Sequence, residues 1–172
     1  MKRKLIFLFA GLLFMVSAMQ QVSAQYDESA NAEASAVIIT PIDITKNTDL
    51  AFGNIISSGT AGTVTVDFAN ARTQTNGATF PTVPGTVSSA QFTVTGFSGS
   101  VYSITLPADN AVQLEDAAEI GDNMNLTDFV HNATEVLTGG QEVFQVGATL
   151  QVGVNQAAGT YLGSFNVIVN YN

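Results

Sequence analysis

The sequence predicts an all-β protein, a two-sheet antiparallel sandwich of about eight to nine strands. Three observations predict it. The chain is rich in Thr and Val, which favour pleated half-buried surfaces, and in Gly, Asn and Ser, which punctuate turns. Apolar and polar residues alternate in several short runs separated by turn signals. No segment keeps a helical period, and the Thr-x-Thr and Thr-x-Val runs have no fixed repeat length, which argues against a solenoid.

The N-terminus is read separately. Lys2, Arg3 and Lys4 precede an apolar run from Leu5 to Val16, and Val22-Ser23-Ala24 places small residues at a cleavage position. This is the pattern of a cleaved secretory signal peptide over residues 1–24, too short and wrongly flanked for a membrane span. It implies export to the periplasm, the cell surface or the medium. With residues 1–24 removed, Lys46 and Arg72 are the only cations against 14 acids. Such a surface repels nucleic acid and anionic membranes. The chain has no Cys, so a cysteine-linked lipid anchor, a disulfide framework and a thiolate metal site are excluded.

Residues 25–35 are acidic and Ala-rich, with little to bury, and read as a flexible leader to a single domain over 36–172. Ala30, Ala32, Ala34 and Ala36 alternate with polar residues and run into Ile38. Val37–Ile44 is the first predicted strand, at an edge or bent, because Pro41 cannot donate to a ladder. Leu50 and Phe52 share a face, and Gly53 marks a bulge or close approach. Val64, Val66 and Phe68 align in the next strand. Residues 69–85 are looser and hold Asn76-Gly77, a hairpin-turn signal.

Ala90–Gly96 and Val101–Leu106 are two further strands joined at Ser98-Gly99-Ser100, the second ended by Pro107. Residues 108–121 read as irregular and acidic, with a strand over Asn123–Val130 and a turn at Gly139-Gly140. Phe144, Val146, Ala148, Leu150, Val152 and Val154 then alternate without a break. In the last run Tyr161, Phe165, Val167, Val169 and Tyr171 occupy one face of a strand roughly 36 Å long. The two long runs are expected to form a hairpin across Asn155–Gly159. An apolar-faced strand at a chain end has to be paired, covered or completed by something else.

Catalytic chemistry finds little support. His131 is the sole histidine, with no nucleophile motif near it, and reads as a surface or strand residue. Glu115, Asp116, Glu119, Asp122 and Asp128 cluster in one stretch whose oxygens suit Ca²⁺, but calcium-loop spacing is absent and a solvated acidic loop is the better reading. Asn125-Leu126-Thr127 and Asn132-Ala133-Thr134 match the N-glycosylation pattern. No phosphate loop, dinucleotide fingerprint, zinc-protease motif or nucleophile elbow is present. Without Trp, an aromatic sugar platform is unsupported. No enzyme activity, metal or cofactor is expected.

The last run carries Gly159, fourteenth from the C-terminus, a penultimate Tyr171 and alternating apolar residues between them. This resembles the C-terminal signature of chaperone–usher pilins. Ile39-Thr40-Pro41-Ile42-Asp43-Ile44, Leu50-Ala51-Phe52-Gly53 and Ala158–Phe165 look like an uncharacterised family of secreted bacterial β-sandwich proteins allied to spore-coat-U-like pilins and the fimbrial adhesin group. The resemblance implies an immunoglobulin-like, pilin- or adhesin-type sandwich with an open groove. It also implies a structural or adhesive fimbrial subunit that assembles by strand addition, its partners being other subunits of the fibre and a periplasmic chaperone. Gly159, Tyr161, Phe165, Val167, Val169 and Tyr171 are then the groove candidates, and Ala34, Ala36 and Ile38 the donor-strand candidates. The chain departs from many pilins in lacking a disulfide and in offering mostly Ala where a donor strand carries larger residues. The alternative is a self-complemented monomeric module, secreted for binding or structure.

Overall fold

The computed structural model describes residues 27–119 and 121–172, so the expected signal peptide lies outside the described residues. Residues 27–42 belong to no strand, and Ile38–Asn172 form a compact unit. Pro41 has no N–H to offer a ladder, and β1 starts only after it, spanning Asp43–Thr48 rather than the expected Val37–Ile44. β1 pairs antiparallel with β6 (Ala90–Thr95) until a register shift between Lys46 and Thr48. The chain then enters β2 (Ala51–Phe52), which pairs with β5 (Val87–Ser88).

β3 (Gly62–Val66) and β4 (Arg72–Asn76) form a hairpin. Its loop is held by the Asp67 carboxylate, which accepts the N–H groups of Ala69 and Ala71 at 2.8 Å each. Asn76-Gly77 therefore ends β4, with Asn76 at φ 49°, and does not join the hairpin as the dipeptide suggested. β7 (Tyr102–Thr105), β8 (Val112–Asp116), β9 (Met124–His131) and β10 (Gln141–Val152) follow, then β11 (Tyr161–Leu162) and β12 (Ile168–Tyr171). Within β9, Asp128 adopts φ 50° opposite a register shift between Gly147 and Thr149 of β10. The extra residue re-phases the strand, so that Leu126 and Phe129 both turn inward although three residues apart.

The described residues form an all-β antiparallel sandwich. Its main sheet runs β1-β6-β10-β9-β8-β11, with β3 on β10 and β4 outside it; the ladders β2–β5 and β7–β12 are separate. One edge of β10 is shared, Gln141–Val146 pairing with β6 and Ala148–Val152 with β3, while β9 takes the other edge. Both edges are thus occupied, and the expected long hairpin with the last run does not form. That run is instead broken in two: β11 pairs with β8 and β12 with β7. Two buried clusters result. One gathers Phe52, Val64, Val66, Leu126 and Leu150; the other gathers Phe92, Val94, Tyr102, Leu137, Phe144 and Val146.

Candidate functional site

Between the segment around Leu50 and the break in the last run lies a groove of about 820 Å³. Its floor is apolar, built from Phe92, Val112, Leu114, Leu126 and Leu150. Its front lip runs from Ile44 through Leu50 and Phe52 to Ile55, and its rear lip is Tyr161–Val167. Each lip leaves one ladder and enters another along its length: the front passes from β6 to β5, the rear from β8 to β7. Gly163–Val167, the stretch between the two rear ladders, belongs to no strand.

The face read from the alternation is the inward one. Tyr161, Phe165, Val167, Val169 and Tyr171 are half-buried, whereas Leu162 and Ile168 are 64% and 53% exposed. The five do not share one task. Tyr161, Phe165 and Val167 line the groove, while Val169 and Tyr171 lie in the β7–β12 ladder. Phe165 bridges the two clusters, 5.1 Å from the Phe129 ring centroid and 6.4 Å from that of Phe92. Gly159 stands outside the groove. A Cβ there would come within 2.6 Å of Asp116 Oδ1, so the missing side chain leaves room for that buried carboxylate. At Gly163 a Cβ would overlap the Gln113 carbonyl oxygen, and glycine lets the rear lip lie close on β8. The donor candidates Ala34, Ala36 and Ile38 are exposed, Ile38 at 97%.

Both lips are pinned by hydrogen bonds that alternation alone does not reveal. Arg72 reaches from β4 to donate through Nη1 to the carbonyls of Phe52 (2.7 Å) and Asn54 (2.9 Å), its guanidinium 3.7 Å from the Phe80 ring centroid. Desolvation lowers its pKa from the ordinary value. At the rear, the Tyr161 hydroxyl donates to the Ala157 carbonyl and accepts from Gln156 Nε2, both at 2.9 Å. The Tyr171 hydroxyl donates to the Thr40 carbonyl at 2.8 Å and accepts the Phe97 N–H at 2.7 Å. The penultimate tyrosine thereby ties the C-terminus to the approach to β1.

Away from the groove the second cluster is closed. Tyr102 is wholly buried and donates to Glu142 Oε2 at 2.7 Å; Glu142 Oε1 accepts the Thr134 N–H (2.5 Å) and hydroxyl (2.9 Å). Burial raises the Tyr102 pKa, reinforced by the Glu142 hydrogen bond and the neighbouring negative charge. Burial alone would raise Glu142 too, but the hydrogen bonds from Thr134 and Tyr102 outweigh it and leave its pKa lowered. His131 belongs to this region as a structural residue. Its Nδ1 accepts the Ala133 N–H at 3.2 Å, and its ring stands edge-on to Phe144. In the acidic stretch, Asp116 turns inward and accepts the N–H groups of Ala118 (3.2 Å) and Gly121 (2.9 Å). Among the described residues no three His, Cys, Asp or Glu side chains gather in a metal-holding group.

Residues 42–171 match the family described as Domain of unknown function (DUF4402), and the chain belongs to that family. No curated protein and no solved structure matches it.

Proposed function

We propose that this member of the DUF4402 family is an exported, non-enzymatic surface protein, a fimbrial or pilin-like structural or adhesive subunit that assembles by strand addition. The observation that carries the reading is the apolar groove between two lips that each change ladders, with no strand filling the gap at Gly163–Val167. An extended segment laid there supplies main-chain hydrogen bonds for affinity, and its alternate side chains, seated against Leu50, Phe92 and Phe165, supply register. The donor is the exposed stretch holding Ala34, Ala36 and Ile38, contributed by another copy. At about 25 cal/mol per Å² of apolar area buried, the alanines contribute little and Ile38 most. The partners are further subunits of the same fibre and a chaperone that covers the groove before assembly. The place of action is the periplasm, the cell surface or the medium.

An unboiled gel of native material tests this. A ladder is expected, collapsing to monomer when residues 25–38 are trimmed; monomer alone from the untrimmed chain contradicts it. A second reading, a self-complemented secreted module, is favoured by the Tyr171–Thr40 hydrogen bond and by the pairing of β1 with its own β6. It expects a monomer whose stability is unchanged by the same trimming.

A further inference from the structure

The outer face of the second half of the sandwich is as uniform as the groove, but in the opposite sense. In the registers of β4, β3, β10 and β9, Thr73, Thr65, Thr149 and Thr127 form one row, with Thr149 itself buried and bonded to Thr65. Thr75, Thr63 and Gln151 form the next row, continued by the paired Asn125 and Gln113. None of these side chains ionises, in a chain of net charge −9; Glu115 and Asp128 flank the face. At one end the sheet dips into a cleft of about 410 Å³, lined by Thr63, Asn76, Asn123, Asn125 and Gln151. The cleft is shallow and open, so a ligand lies along it and is not enclosed.

We propose that this cleft binds a neutral polyhydroxylated ligand, a short stretch of uncharged glycan. A hydroxyl and a carboxamide each both donate and accept, and so does every hydroxyl of a sugar. An apolar ligand would strand the carboxamides without partners, and an ion would meet no opposite charge among these side chains. The side chains are also held in place. Gln113 donates to Asn125 Oδ1 at 2.8 Å and accepts from Asn123 Nδ2 at 3.4 Å, while Gln151 donates to Thr127 at 2.9 Å and Thr63 bonds Thr75 at 2.6 Å. Among the described residues, the Asn76 carboxamide and Asn125 Nδ2 make no hydrogen bond to protein, and they are accessible at the cleft surface. Successive strands set the polar groups about 4.8 Å apart, the scale of one sugar ring. No aromatic ring lines the cleft, so stacking adds nothing and the affinity is weak, about millimolar.

The site is independent of the groove, and a failure of either leaves the other standing. The test is a nuclear magnetic resonance titration of the side-chain amides, using neutral tetrasaccharides of glucose, mannose and galactose with an oligogalacturonate as anionic control. At least one neutral sugar is expected to give saturable shifts at Asn76, Asn123, Asn125 and Gln151, unaffected by added salt. Asn123→Asp and Gln151→Glu are expected to weaken that binding by about tenfold, the worth of one hydrogen bond, with the backbone amides away from the cleft unshifted, which shows that the fold is kept. Asn76 is avoided because its positive φ suits Asn. The proposal is overturned if no neutral sugar shifts these amides, if the shifts fall elsewhere, or if both variants bind as the parent does.

Discussion

The two ends of this sandwich are built from the same alternating strands and finish differently. Tyr102, Leu137 and Phe144 are wholly sealed from solvent, and the Tyr102 hydroxyl is answered by Glu142. Around Leu50, Phe165 and Val167 the side chains are only half-buried and face a groove. The cause is local. β7 and β12 pair side by side over the closed end, while at the open end both lips are changing ladders and neither finishes the other. Apolar surface is therefore sealed at one end and left facing a groove at the other.

The largest expected contrast is between two phenylalanines. Phe144→Ala, wholly buried, is expected to cost about 3–5 kcal/mol in chemical denaturation. Phe165→Ala, half-buried at the groove, is expected to cost about half that, but to abolish any ladder of native assemblies. Equal losses at the two sites would erase the distinction between the ends.

Arg72 sharpens the comparison from the lip. Arg72→Met keeps much of the side-chain volume but leaves the carbonyls of Phe52 and Asn54 without their donor, at a cost of about 2 kcal/mol. Amide exchange is expected to rise at Phe52–Ile55 and to stay as it was around Tyr102.

Glu142 tests the closed end through pH. Its pKa is lower folded than unfolded, so its contribution is fully present above the ordinary value of 4.5 and is lost as the pH falls through the lower folded value. Glu142→Gln is expected to cost about 1.5 kcal/mol at neutral pH and to flatten the acid limb of a stability–pH curve. The smallest effect belongs to the exposed Lys46–Asp49 pair at the mouth of the groove. Lys46→Ala is expected to change stability by under about 0.5 kcal/mol.

Alternation disclosed faces well and partners poorly. It picked out the inward set Tyr161, Phe165, Val167, Val169 and Tyr171 and the central strand β10, because a period of two depends only on which residues are apolar. Pairing depends on which edges are free. The hairpin drawn between β10 and the last run fails because β6, β3 and β9 already occupy the edges of β10. β4 escaped notice because Arg-Thr-Gln-Thr-Asn contains no apolar residue, and β8 because Glu115 and Asp116 mask the alternation of Val112 and Leu114. The apolar run Val37-Ile38-Ile39 suggested a strand where Pro41 defers it to the more polar Asp43–Thr48. The C-terminal lip of the groove was legible. Its floor and its Arg72 clamp were not, because they join residues far apart in the chain through contacts that no local pattern records.

The most direct measurement is hydrogen exchange at the amides of Gly163–Val167, followed as the chain is diluted from assembled material to monomer. If the groove takes a strand from another copy, these amides exchange slowly in the assembly and rapidly in the monomer, while Tyr102 and Phe144 stay protected throughout. Slow exchange at Gly163–Val167 in the dilute monomer would contradict an open groove.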